Sequence, residues 1–331
     1  MKNLPTLEGI KNARKNISPF ILETPLVYSD ILSNSLGIEI WLKNETVSPI
    51  ASFKLRGALN HLIEAKKTKI IKAAVATSTG NHGQGVAYAS KLLNIPGHIF
   101  LPENPNQLKK MMIETFHGII HEYGYDYDEA KLKAEDFSKE NGYEHVNEDK
   151  SLSLICGAGT IGLEIVEKLK DIDYLIAGMG SGALVSGSAA ALKSIQPNAK
   201  VIAVSPSGSP SMVESFFARK PIEKPINTIA DGIVCRIPGE LTLSLVLKYV
   251  DDACLVSDED ILRAVHTLIV YSHILVEPSG AASLAALYLN KEKLKGKKVV
   301  LIISGANISR EQIEAAFQRE PFISKPRLAV V

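Results

Sequence analysis

The sequence predicts an α/β fold whose mainly parallel sheets are covered by helices on both faces. Three observations carry this reading. Short β-rich runs alternate with longer amphipathic or alanine-rich stretches along the whole chain. The runs are strongly apolar, as strands buried on both faces require. Two glycine-rich segments follow such runs directly, where an α/β chain turns from strand into helix.

In chain order, the candidate strands are 38–43 (IEIWLK), 73–77 (AAVAT), 98–101 (HIFL), 119–122 (IIHE), 174–177 (YLIA), 201–205 (VIAVS), 253–256 (ACLV) and 299–303 (VVLII). Each is rich in β-branched, aromatic or small apolar residues. Helical stretches are expected at 54–67, 82–94, 127–141, 158–170, 183–195, 258–273 and 279–290. The acidic, tyrosine-bearing stretch 121–149 reads as a solvated helix with its flanks. The proline- and serine-rich stretch 205–225 reads as a long connection or flap. Changes of pattern put boundaries near residues 52 and 150.

The composition agrees with a globular protein: of 331 residues, 46% are hydrophobic and 22% charged, enough for about two domains. Lys and Arg number 37 against 36 Asp and Glu, a net charge of +1 that offers no basic surface for nucleic acid or an anionic membrane. A small molecule is the expected partner. Cys156, Cys235 and Cys254 are odd in number and widely spaced, which fits neither a disulfide framework nor a structural zinc site. The N-terminal MKNLPTLEGIKNARKN has no apolar core, and no apolar run approaches a membrane span, so the cytoplasm is the expected compartment.

Four segments carry candidate chemistry. In Ser52-Phe53-Lys54-Leu55-Arg56-Gly57-Ala58, Lys54 opens a helix, where the dipole disfavours an idle cation. A lysine held as an imine with an aldehyde cofactor escapes that objection; a solvated surface lysine is the plain alternative. In Thr77-Ser78-Thr79-Gly80-Asn81-His82-Gly83-Gln84-Gly85, a strand-to-helix turn leaves backbone N–H groups free for a carboxylate or phosphate, unless it is only a capped turn. His82 there is either a base or a packing residue. Gly178-Met179-Gly180-Ser181-Gly182-Ala183 matches the dinucleotide fingerprint, but the next strand ends in Ser205-Pro206-Ser207, without the acidic residue that binds ribose. A backbone cradle for one phosphate survives. Finally, Ser304 in Ser304-Gly305-Ala306-Asn307 ends a buried strand, where α/β proteins bind ligands, and Val276-Glu277-Pro278-Ser279-Gly280-Ala281 starts a helix.

Together these segments resemble the fold-type II pyridoxal-phosphate enzymes, in particular the threonine/serine dehydratase and serine racemase group. Seven motifs appear in the right order: SFKLRGA, TSTGNHGQG, GTIGLEI, GSGALVSG, TIADGI, VEPSGAA and SGAN. The resemblance implies two open, twisted, mainly parallel sheets (tryptophan synthase β-like), with 1–52 and 150–331 as a large cofactor-binding domain and 53–149 as a small, mobile substrate-binding domain. It implies pyridoxal 5'-phosphate as cofactor, an amino-acid substrate and a homodimer or homotetramer. By the same resemblance Lys54 forms the imine and is catalytic, Phe53 packs beside the ring, and Asn81 bonds the ring's phenolic oxygen. Gly180, Ser181, Gly182, Ala183 and Leu184 bind the phosphate, and Ser304 faces the pyridine nitrogen. Ser78, Thr79, Gly80, Asn81 and His82 clasp the substrate carboxylate. Thr79 is also the second catalytic candidate, on the ring face opposite Lys54.

The chain departs from the resembled pattern. Ile50-Ala51 replaces the usual Thr-Gly, and Ala183 replaces a fourth glycine. Thr79 stands where racemases carry serine, and its extra methyl group restricts χ1. Ser205 replaces the acidic residue that begins a divalent-cation site, so no metal is expected; the alternative is that Glu214 folds back to restore it. The implied activity is β-elimination from L-threonine or L-serine to a 2-oxo acid and ammonia. A serine racemase, a dehydratase for another β-hydroxy amino acid and a dinucleotide-binding oxidoreductase are the rivals.

Overall fold

A computed structural model describes residues 4–78, 80–105 and 107–323. Its strands are β1 (Leu26–Tyr28), β2 (Glu39–Asn44), β3 (Ala74–Thr77), β4 (Gly97–Leu101), β5 (Gly118–Glu122), β6 (Glu144–His145), β7 (Tyr174–Gly178), β8 (Lys200–Pro206), β9 (Asp252–Val256) and β10 (Lys298–Ile303). The helices of the first half are α1 (Leu7–Ile17), α2 (Asp30–Leu36), α3 (Lys54–Thr68), α4 (Asn81–Leu92), α5 (Gln107–Thr115), α6 (Tyr127–Asn141) and α7 (Leu152–Lys168). The second half adds α8 (Ala183–Ile195), α9 (Ser211–Ala218), α10 (Glu240–Tyr249), α11 (Asp258–Ser272), α12 (Pro278–Leu289), α13 (Lys291–Leu294) and α14 (Arg310–Phe317).

The strands form two sheets, as expected for this fold class. The larger has the order β1-β2-β10-β7-β8-β9, parallel except for the β1–β2 pair. The smaller, β5-β4-β3-β6, is parallel throughout. Alternation along the large-sheet strands feeds two cores. Leu175, Ala177, Val201, Ala203, Val300 and Ile302 face one core, built with α7 and α8. Ile176, Ile202, Val204, Val299, Leu301 and Ile303 face the other, built with α11 and α12. A third core packs α3 and α4 on the small sheet.

This strand order places the site. In the large sheet, β7, β8 and β9 run outward in one direction, while β10 lies on the other side of β7. In the small sheet β4 and β5 lie on one side of β3 and β6 on the other. Each sheet therefore has a switch point, and open parallel sheets bind ligands outside the carboxyl ends of the strands there. Those ends carry Gly180 and Ser304 in the large sheet, and Ser78 and the stretch after His145 in the small one.

Three readings of the sequence need correction. The stretch 205–225 is not all connection, because α9 forms inside it, with Pro210 at its N-cap. α7 starts at Leu152, ahead of the expected 158, because the Ser151 hydroxyl caps the Leu154 N–H at 3.1 Å. The glycines 157, 159 and 162 are helical: a Cβ on Gly157 would strike the Arg56 carbonyl, and one on Gly162 the Ser188 carbonyl, so they let three helices cross closely. The stretch 121–149 is only partly solvated; its end carries β6 and the half-buried Glu148 described below.

Candidate active site

The site starts from a main-chain tie between the end of β10 and the start of α3. Ser52 and Gly305 form an isolated bridge, Phe53 N–H donates to Ser304 O at 3.0 Å, and Ala306 N–H donates to Ala51 O at 2.8 Å. The tie sets Lys54, the first residue of α3, beside the hydroxyl-bearing end of β10. The Phe53 ring is buried and its centroid lies 5.2 Å from Lys54 Nζ. Ala51, just upstream, has φ +51°, a left-handed conformation natural to glycine and costly for alanine. The departure from the usual Thr-Gly therefore falls where a glycine is conformationally preferred.

Behind Lys54, a buried charge cluster anchors α3. Arg56 donates to Glu45 Oε2 at 2.8 Å and to both oxygens of Glu164 at 2.6 and 2.9 Å. Lys43 Nζ donates to Glu164 Oε2 at 2.5 Å and to Thr24 O at 2.7 Å. Two cations face two carboxylates, so the cluster is neutral and each ion has partners, as burial demands. Burial pushes the Lys43 ammonium below its ordinary pKa. Burial opposes ionisation of Glu164, but Arg56 and Lys43 outweigh it and hold that carboxyl low. The cluster joins β2, α3 and α7 immediately beneath the first turn of α3.

Lys54 itself points away from the cluster. Its Nζ donates to both oxygens of Glu148, at 2.5 and 2.6 Å. His82 Nδ1 lies 2.9 Å from Glu148 Oε1, out of line for a straight hydrogen bond, and His82 Nε2 faces Val146 O at 2.9 Å. His82 thus does more than pack. Burial works against the Glu148 carboxylate, yet the charges of Lys54 and His82 hold it well below the usual carboxylate range.

The opposing wall is α4, whose N-cap Gly80 offers no side-chain cap to the first turn. The Ser78 hydroxyl accepts from Gly80 N–H at 3.1 Å, and a Cβ on Gly80 would meet nothing within 4 Å. Backbone donors therefore face open space at a helix N-terminus. Asn81 Nδ2 donates to Glu277 Oε1 at 2.7 Å and its Oδ1 accepts from Asn307 Nδ2 at 2.7 Å. Thr79 lies outside the described residues.

The phosphate candidate is the turn from β7 into α8. Gly182 caps α8 at φ +98°, where a Cβ would be strained and 2.8 Å from Val246, and no side chain caps the helix. Gly180 lies so close to the 3₁₀ turn Asp231–Ile233 that a Cβ would stand 3.0 Å from Ile233 Cα. The middle residue of that turn is Gly232, whose N–H donates to Ser279 Oγ at 2.8 Å; a Cβ there would lie 3.7 Å from Asn81 Nδ2. The 3₁₀ turn thus lies between Gly180 and Asn81, against the first through Ile233 and facing the second through Gly232. Ser205 Oγ donates to Met179 O at 2.6 Å, which fixes the strand end that leads into α8.

The oxygens that follow Ser205 along the chain have protein partners. Ser209 and Ser211 both donate to Cys235 O, at 3.1 and 2.5 Å, and Glu214 pairs with Lys224 at 2.9 Å rather than folding back. The described residues contain no group of three or more His, Cys, Asp or Glu able to hold a metal, and none of their helices is long and apolar enough to cross a membrane.

The donor set fits an aldehyde cofactor with a phosphate arm: a part-buried lysine, an uncapped glycine-opened helix N-terminus, and the Ser304 hydroxyl, 3% exposed, at the switch point. Three site residues escaped the sequence reading as members of the site. Glu277 and Asn307 lay inside quoted motifs, whereas Glu148 carried no signal, because only the fold brings it to Lys54.

Comparison with known proteins agrees with this geometry. A family profile described as pyridoxal-phosphate dependent enzyme matches residues 17–305. L-threonine ammonia-lyase of Thermotoga maritima is 38% identical over 312 residues, which cover 93% of this chain and 77% of that protein. The processed threonine deaminase isoform 2 of Solanum lycopersicum superposes with a TM-score of 0.89 at 31% identity, over 96% of this chain and 90% of the other. Maize serine racemase superposes with a TM-score of 0.88 at 30% identity, over 95% and 97%. The chain belongs to the family of pyridoxal-phosphate dependent enzymes.

Proposed function

We propose that this chain deaminates L-threonine or L-serine by β-elimination, releasing a 2-oxo acid and ammonia. The observation that carries the reading is Lys54, set beside the end of β10 by the main-chain tie, with its Nζ held by Glu148 next to His82 in the first turn of α4. The identity to the Thermotoga maritima L-threonine ammonia-lyase supports the substrate class.

Pyridoxal phosphate, when bound, supplies a sink for the electron pair left by the α-proton. Lys54 would hold its aldehyde carbon and Gly180, Ser181, Gly182, Ala183 and Leu184 its phosphate. Asn81 would meet the ring's phenolic oxygen and Ser304 the pyridine nitrogen, to which a neutral hydroxyl offers no charge. A weaker sink favours prompt loss of the β-substituent. The uncapped start of α4, with Ser78, Gly80, Asn81 and His82, would bind the substrate carboxylate. Lys54 Nζ, as a free amine, would take the α-proton. The β-carbon–oxygen bond then breaks with its electron pair on oxygen, which takes a proton and leaves as water; the enamine gains a proton at the β-carbon, water adds at the α-carbon and ammonia departs, with no net oxidation.

The fold also favours a second reading, since maize serine racemase superposes almost as well. One assay separates the two: purified protein loaded with cofactor is given L-serine and L-threonine, and 2-oxo acid, ammonia and D-serine are measured together. We expect 2-oxo acid and ammonia in equal amounts and little D-serine. D-serine outpacing pyruvate would establish the racemase reading, and no product from either amino acid would overturn both.

A further inference from the structure

Among the described residues, Glu148 is the charged side chain that pairs with Lys54, and the proposed reaction leaves it without a task. It follows β6 at the small sheet's switch point, on a stretch held from both sides. Val146 N–H donates to Val75 O at 2.8 Å, Val146 O faces His82 Nε2 at 2.9 Å, and Asp149 N–H donates to Asn147 Oδ1 at 2.8 Å. The carboxylate is therefore aimed rather than wandering, and its side chain is 18% exposed. Both oxygens reach Lys54 Nζ, at 2.5 and 2.6 Å. Because a carbonyl only accepts, His82 Nε2 carries its proton toward Val146, which leaves Nδ1 facing Glu148 Oε1 at 2.9 Å.

In the loaded enzyme Lys54 Nζ is bound to the cofactor and no longer offers Glu148 a free ammonium. A half-buried carboxylate then needs another donor. The nearest newcomer is the side chain of the amino acid whose nitrogen takes the place of Lys54 Nζ. We infer that Glu148 reads the charge of the substrate side chain, admitting groups that donate hydrogen bonds or carry positive charge and rejecting a carboxylate on the β-carbon. This rests on the proposed function, since Lys54 Nζ is used to mark where the substrate nitrogen sits.

L-asparagine and L-aspartate have the same shape and differ by one charge, so they form the test pair, with L-2,4-diaminobutyrate as the cationic member. Their dissociation constants from the cofactor-loaded protein are measured by calorimetry, which does not require turnover. With two like charges about 4 Å apart in a partly screened site, wild type should bind asparagine on the order of 100-fold more tightly than aspartate. In Glu148→Gln that ratio should fall below about tenfold and diaminobutyrate should bind more weakly, whereas Glu148→Asp should keep the wild-type preference. Circular dichroism of each variant reports folding. A wild type indifferent to charge, or a ratio unchanged in Glu148→Gln, would overturn the inference. If wild type discriminates as stated but yields no 2-oxo acid from L-serine or L-threonine, the proposed reaction falls and the role of Glu148 stands. If it turns over L-serine but is blind to charge, the reverse holds.

Discussion

Replacing Gly162 with alanine would put a methyl group 2.3 Å from the carbonyl oxygen of Ser188, 2.8 Å from its Cα and 2.9 Å from its carbonyl carbon. Ordinary contacts of this kind begin near 3.4 Å, and the obstacle is backbone, so no rotamer change relieves it. α8 would have to withdraw from α7 by about 1 Å. Overpacking of this type costs about 1–3 kcal/mol and sometimes more. The intrinsic preference of a helix for alanine over glycine returns about 1 kcal/mol. With the clash against fixed backbone placing the cost in the upper half of that range, the net loss is about 1–2 kcal/mol, a fall in Tm of roughly 1–3 °C for a chain of this size. The same withdrawal moves Gly182 and Ala183, since they open α8. Gly162→Ala should therefore also bind pyridoxal phosphate several-fold more weakly. Scanning calorimetry of the cofactor-free protein and titration with cofactor measure both effects. An unchanged Tm with unchanged cofactor affinity would refute the claim that the α7–α8 crossing sets the cradle.

The remaining predictions are smaller in scale. Ala51→Gly relieves a left-handed alanine, worth about 1–2 kcal/mol, but adds unfolded-state freedom worth about 0.5–1 kcal/mol, so Tm should rise by up to about 2 °C; a fall would contradict the strain at this turn. His98 Nδ1 and His121 Nε2 meet at 2.9 Å, and burial holds both rings below the ordinary histidine pKa, with the charge of His121 adding to the shift of His98. For depressed pKa values the contribution to stability is full above about pH 6.5 and is lost as the pH falls below it, so His121→Phe should flatten the decline in Tm between pH 7.5 and 5.5; parallel pH curves for variant and wild type would remove the pair from that account. Activity and Tm should be insensitive to EDTA and to added Mg²⁺, because Ser209 and Ser211 are committed to Cys235 O and Glu214 to Lys224. Loss with EDTA that Mg²⁺ but not K⁺ restores would reveal a cation site.

Much of the fold is legible in the sequence because parallel strands buried on both faces are short apolar runs, and all eight expected strands lie within one residue of the observed ends. What was missed has physical reasons. β6 has two residues and β1 three, too few for a period to show. α9 hides among serines and prolines because Pro210 and Ser211 begin the helix rather than break it. The glycines of α7 serve close helix crossing, which only the neighbouring backbone reveals. In the site, the segments around Lys54, Asn81, Gly180 and Ser304 announced themselves by residue type at strand-to-helix turns. Glu148 did not: it stands 94 residues from Lys54 in an acidic stretch, and only the small sheet's return through β6 brings it there.

The central claim is that Lys54 carries the cofactor. Borohydride reduction of the cofactor-loaded protein fixes pyridoxal phosphate to the lysine that holds it, and mass spectrometry of the digested protein then locates the added group. The account predicts the label on Lys54 in wild type, together with loss of both label and visible absorbance in a folded Lys54→Ala variant. A label on another lysine of wild type, or a Lys54→Ala variant that still releases 2-oxo acid at the wild-type rate, would contradict it.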